Sequence, residues 1–243
     1  MDVQICKNYE DLSTKACARV AAWIAEKENS VLGLATGSTP EGMYEKLVEQ
    51  HQKGELSFRQ VSTFNLDEYI GLPADHPLTY RAYMNDHLFS KVDLLAANTH
   101  LPDGQATDLM AECARYEALL QEAGGVDLQV LGLGHNGHIG FNEPETPFSS
   151  ATHVVDLDVK TREANARFFD NKNDVPKKAI TMGIETILAA REILVLVSGA
   201  DKAEALRGML YRESTPAFPA TALQQHPNVT VLADEQAANG LSG

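Results

Sequence analysis

VLGLATGSTPEGMYEKL, residues 31–47, passes from a short apolar run through a Gly-Ser-Thr-Pro turn into a stretch of helical composition. VLGLA reads as a buried strand, because it is apolar throughout and bounded by turn residues. Gly37 permits close backbone approach, Ser38 or Thr39 offers an N-cap, and Pro40 suits the first helical turn. Ser38 and Glu41 also have capping-box spacing. Strand, tight turn and helix in this order form the repeating unit of a parallel sheet.

The same alternation extends in both directions. Residues 61–66 (VSTFNL), 128–133 (LQVLGL), 192–198 (EILVLVS) and 229–233 (VTVLA) are further short runs suited to buried strands. Helices are expected at about 10–27, 40–53, 79–90, 106–123, 183–190 and 201–210. In 106–123, Leu109, Cys113, Tyr116, Leu119 and Leu120 share one face at spacings of three and four. With no internal repeat and no dividing linker, residues 1–243 are expected to form a single α/β domain. Its core would be an open, mostly parallel twisted sheet with helices on both faces, Rossmann-like, and ligands would bind at the strand carboxyl ends. The charged stretch 156–181, with one helix expected at 161–168, reads either as an exposed excursion or as a lid carrying Arg167 over a ligand.

Composition narrows the function. The formal net charge of −14 argues against general nucleic-acid binding, and an anionic ligand would need a local pocket of N–H groups and cations. No apolar run approaches the roughly 20 residues that span a bilayer. MDVQICKNYE lacks a signal peptide's cationic head and apolar segment, and Cys6, Cys17 and Cys113 show no ligand-like spacing. A cytoplasmic protein with reduced thiols and no membrane partner is expected.

Three segments stand at predicted strand ends. The 37–40 turn is either a well-capped helix start or an anion site with N–H groups and hydroxyls side by side. There is no Walker loop and no dinucleotide fingerprint. In VSTFNLDEYIGLP, Asp67 and Glu68 form either a capping or salt-bridging pair, or supply a partly desolvated base. In LGLGHNGHIGFNEP, His135 and His138 lack a third metal ligand and a fixed helical face, and no nucleophile elbow accompanies them. What remains is a structural histidine or a proton shuttle. A carboxylate such as Glu143 can fix a histidine's tautomer and raise its proton affinity.

Taken together, LGLATGSTPEGMY, FNLDEYIGL, YMND at 83–86, LGLGHNGHIGFNEP, TMGIETIL and SGADKAEAL resemble the glucosamine-6-phosphate deaminase family in order and spacing over nearly the whole chain. The resemblance implies conversion of glucosamine 6-phosphate and water to fructose 6-phosphate and ammonia, with no metal and no organic cofactor. It assigns ring opening to His138, supported by Asn136 and Glu143, and proton transfer from C2 to C1 to Asp67. It assigns phosphate binding to Gly37, Ser38, Thr39, Arg167 and Lys202. Many family members carry Asp where this chain has Asn136, and a neutral amide stabilises an imidazolium less than a carboxylate does. Members activated by N-acetylglucosamine 6-phosphate carry an Arg-x-Lys pair where this chain has His153 and Val155, and they have a longer tail. No such activation, and a monomer or small homo-oligomer, are therefore expected. The alternatives are a 6-phosphogluconolactonase, which would need no carbon-acid base, and a sugar-phosphate sensor that binds without turnover.

Overall fold

The computed structural model describes residues 1–157 and 175–241. Among them seven strands form one sheet: β1 (Asp2–Cys6), β2 (Val31–Leu34), β3 (Ser62–Asn65), β5 (Thr99–His100), β6 (Leu128–Gly132), β9 (Glu192–Val197) and β10 (Val229–Asp234). Their order is β1-β10-β9-β6-β2-β3-β5, and every neighbouring pair is parallel. The five apolar runs read from the sequence are its five central strands.

Both faces are covered, as all-parallel sheets require. Alternation along β9 shows how. Ile193, Val195 and Val197 join the core under α4 (Leu109–Glu122), α5 (Ile184–Leu188) and α6 (Ala203–Tyr211). Leu194 and Leu196 join the core under α1 (Tyr9–Glu26), α2 (Glu41–Gln52) and α3 (Tyr80–His87). Successive strand residues point to opposite faces, so a doubly covered strand must be apolar throughout. Helix α4 starts at Leu109, later than expected, because the Asp108 carboxylate accepts from the Met110 and Ala111 amides and caps it there.

The edge strands β1 and β5 carry no sequence signal. The first four residues of β1 are exposed, and β5 has only two residues. A second, antiparallel sheet is likewise not expected from the sequence, with order β4 (Asp67–Tyr69), β8 (Lys178–Thr181), β7 (His153–Asp156). It pairs Asp67 with Thr181 and Asp156 with Lys178, so both ends of the charged 156–181 stretch are strand. The helix expected at 161–168, and Arg167 with it, lie outside the described residues.

At the amino ends of the parallel strands, buried carboxylates are paired with cations. Asp127 takes Lys27 at 2.6 Å, the Val31 amide at 2.8 Å and Arg191 at 3.2 Å. Glu192 takes the Arg19 guanidinium and the Trp23 indole. Buried charge is tolerated when paired in this way. The carboxyl ends present a different picture.

Candidate active site

A cavity of about 950 Å³ opens at the carboxyl ends of the central strands. Gly37, Ser38, Thr39, Asp67, Asn136, His138 and Lys202 line it, brought together from four separate chain segments.

The turn after β2 contributes Gly37, whose φ of 99° is a left-handed conformation that glycine adopts without strain. The expected side-chain cap is not there. Helix α2 begins at Glu41 with Pro40 as its N-cap residue, which offers no side-chain cap. Ser38 and Thr39 instead face the cavity. Pro40 itself takes a helical conformation.

Asp67 and Glu68 separate cleanly. Because β4 is extended, the two side chains point to opposite sides. The Glu68 carboxylate accepts from the Tyr69, Tyr80 and Arg81 amides at 2.9, 2.9 and 3.0 Å, and so caps the start of α3. Asp67 turns into the cavity, 6% exposed. Burial first, and then the Glu68 charge, push its pKa up to about 8, with no donor or cation among the described residues to pull it back. Such a group keeps its proton at neutral pH, and its ionised fraction is a stronger base than an ordinary carboxylate.

His138 is set by its neighbours. Asn136 Nδ2 donates to Glu143 Oε2 at 2.6 Å, which leaves Asn136 Oδ1 to face His138 Nδ1 at 2.7 Å. The amide oxygen can only accept, so Nδ1 carries the hydrogen and Nε2 keeps the lone pair. From the sequence, the neighbouring carboxylate should raise the proton affinity of His138. The net effect runs the other way: burial lowers it, Glu143 at 3.6 Å pulls up, and Lys202 and His135 push further down. With an amide between the ring and the carboxylate, desolvation wins. Replacing Asn136 with Asp puts negative charge against Nδ1 and should move the acid limb of the kcat/KM profile upward by about one pH unit. A pH–rate comparison of the two proteins checks this, and superimposable profiles would contradict it.

Two glycines of the motif lie against the candidate acid and base. A side chain at Gly134 would collide with the His138 ring, which packs flat against that backbone. One at Gly140 would stand 3.5 Å from Asp67 Oδ2, so the histidine loop passes directly beside the carboxyl. Gly134→Ala is therefore expected to displace the imidazole and to lower kcat/KM at least about tenfold with little loss of fold, measurable by steady-state kinetics alongside thermal melting.

Lys202 ends the 3₁₀ turn Ala200–Lys202 at the start of α6, where burial depresses its pKa against the pull of Asp201. Its Nζ donates to His135 Nδ1 at 3.2 Å, and His135 Nε2 in turn donates to Asp201 Oδ2 at 2.6 Å. Sequence reasoning weighs His135 only as a metal ligand and misses Asp201 altogether. Nothing in the local sequence links residues 135 and 201. Among the described residues, no three His, Cys, Asp or Glu side chains converge as a metal site would need. No described helix is long and apolar enough to cross a membrane.

A family model described as glucosamine-6-phosphate isomerases/6-phosphogluconolactonase matches residues 7–232. The chain is 54% identical over 240 residues to a glucosamine-6-phosphate deaminase of Bacillus velezensis, covering 99% of this chain and 100% of that one. It is 52% identical over 239 residues to glucosamine-6-phosphate deaminase 1 of Bacillus subtilis, with coverage of 98% and 99%. A solved structure of a monomeric glucosamine-6-phosphate deaminase aligns with a TM-score of 0.96 at 52% identity, covering 98% of this chain and 99% of that chain. A 6-phosphogluconolactonase from Leishmania guyanensis aligns with a TM-score of 0.78 at 23% identity, over 100% and 99% of the two chains, a likeness of fold alone. Matched by the family model over nearly its whole length, and about half identical to these two bacterial relatives, the chain belongs to the glucosamine-6-phosphate isomerase/6-phosphogluconolactonase family.

Proposed function

We propose that the protein converts glucosamine 6-phosphate and water to fructose 6-phosphate and ammonia. The observation that carries this reading is the pairing of Asp67 and His138 in one cavity: a buried carboxyl with a pKa of about 8, and an imidazole whose Nε2 lone pair is left available. His138 takes the proton of the anomeric hydroxyl and returns one to the ring oxygen, which opens the hemiacetal to an aldehyde. The aldehyde acidifies the C2 proton. Asp67 removes it to leave an enolamine, then delivers it to C1, and the resulting imine takes up water and expels ammonia. One carboxylate serving adjacent carbons requires that it reach a single face of the substrate, as a side chain rising from the cavity floor does.

Gly37, Ser38, Thr39 and Lys202 are the proposed phosphate contacts, with Arg167 from the 156–181 stretch as a further one. N–H groups at a helix start beside a half-buried ammonium supply the local positive field that a chain of net charge −14 needs. The 6-phosphogluconolactonase reading is less well supported, because lactone hydrolysis gives Asp67 no carbon acid to deprotonate. His153 and Val155 stand in β7, and we expect no activation by N-acetylglucosamine 6-phosphate.

The test is to incubate purified protein with glucosamine 6-phosphate and EDTA and to assay ammonium and fructose 6-phosphate in the same tube. Equimolar products support the deaminase reading without a chelatable metal. A folded protein that binds the sugar phosphate without turnover would move the sensor reading to the front.

A further inference from the structure

Three tyrosine hydroxyls converge on the backbone of the turn after β2. Tyr44 of α2 donates to the Ala35 carbonyl at 2.6 Å, and Tyr83 of α3 to the Gly37 carbonyl at 2.7 Å. Tyr9, the first residue of α1, donates to the Ser38 carbonyl at 3.0 Å. The Tyr9 hydroxyl also accepts the Gly42 amide at 2.8 Å, so it does for the uncapped first turn of α2 what Ser38 and Thr39 do not. Packing holds the phenols in place. The Tyr83 ring stacks on His87 with centroids 4.2 Å apart, and Gly42 lacks the Cβ that would press on Ser13 and the Tyr9 ring.

The consequence follows from peptide geometry. In a planar trans peptide the carbonyl and the next residue's N–H point in opposite directions. Tyr83 itself lines the cavity, so its hydroxyl covers a Gly37 carbonyl that lies on the cavity side. Tying the Ser38 carbonyl to Tyr9, which lies outside the cavity lining, turns the Thr39 N–H toward the cavity. With the Tyr83 hydroxyl removed from it, the Gly37 carbonyl presents its dipole uncovered, and an uncovered carbonyl dipole repels an anion.

We propose that Tyr9, Tyr44 and Tyr83 are positioning residues for phosphate binding. Tyr9 holds the 38–39 peptide with its N–H toward the cavity, Tyr83 covers the Gly37 carbonyl that would otherwise meet the substrate phosphate, and Tyr44 fixes the start of the turn. This inference rests on the reading of the turn as the phosphate site. It predicts a selective defect: the phosphate end of the substrate is held less tightly while the distant proton-transfer groups are undisturbed.

Tyr83→Phe and Tyr9→Phe test it, since each keeps the ring and removes one hydroxyl. Tyr44 is fully buried, and its variant would leave a buried carbonyl unpaired, so it is the poorer probe. Binding of inorganic phosphate, measured by calorimetry, should weaken about three- to tenfold in each single variant and further in the double variant. KM for glucosamine 6-phosphate should rise in parallel, with kcat held within about twofold. A folded double variant with unchanged phosphate affinity and KM overturns the inference, as does a fall in kcat with unchanged phosphate affinity. Failure of the wild-type protein to release ammonia would instead count against the deaminase reading, and the phosphate-binding arm would still decide the role of the tyrosines.

Discussion

Asp67→Asn is expected to abolish most turnover and, in the same protein, to raise stability at alkaline pH. The amide is nearly isosteric but cannot take the C2 proton, so kcat/KM should fall by roughly 10² to 10⁴. The stability effect comes from linkage. The folded pKa of about 8 lies above the ordinary 3.8, so the folded state holds a proton that the unfolded chain has released. The wild-type contribution from this group is complete below the ordinary value, declines as pH rises from about 4 to 8, and is flat beyond. The uncharged amide of the variant carries no such penalty. Urea unfolding at pH 5 and pH 8 should therefore show the variant gaining on the wild type by on the order of a few kcal/mol at the higher pH. An equal difference at both pH values would mean that Asp67 is not protonated in the folded protein. The same group governs the rate profile: kcat/KM, which reports the free enzyme, should rise with pH up to about 8. The pH dependence of kcat should lie lower, because a substrate ammonium beside the carboxylate favours its ionised form.

The second large effect is that of His138→Gln. Glutamine can still hydrogen-bond Asn136 but cannot shuttle a proton, so ring opening loses its acid and base together. A fall in kcat/KM of about 10² to 10⁴ is expected on a substrate that is almost all closed ring. This variant should differ from Asp67→Asn in its pH dependence. The limb near pH 8 should persist, because Asp67 is intact, whereas the acid limb belonging to the imidazole should vanish. A variant that kept both limbs, or that lost less than about tenfold in rate, would remove His138 from the proton path.

The candidate acid and base are visible in one dimension because each lies within a few residues of an apolar run, where a strand end is predictable. Asp67 follows VSTFNL directly, and His138 lies in the glycine-rich turn after LQVLGL. The division of labour between Asp67 and Glu68 is not visible there. It needs β4, a three-residue strand whose pairing partner, β8, lies more than a hundred residues away. Once that pairing exists, the period of two sends one carboxylate to the helix start and the other to the cavity. The proton affinity of His138 reads in the wrong direction from sequence for a related reason. Sequence proximity displays Glu143, but the desolvation that outweighs it comes from elements packed around the ring.

Sequence alone determined the α/β alternation, the five central strands, and the turns that carry chemistry, since all of these are written in local periodicity and in residues with restricted backbone preferences. Tertiary structure alone decided the edge strands, the second sheet, the His135–Lys202 contact and the three tyrosines on the turn after β2. Each of these depends on which distant surfaces meet. That is set by burial of the two core faces taken as a whole, a quantity that no window of neighbouring residues contains.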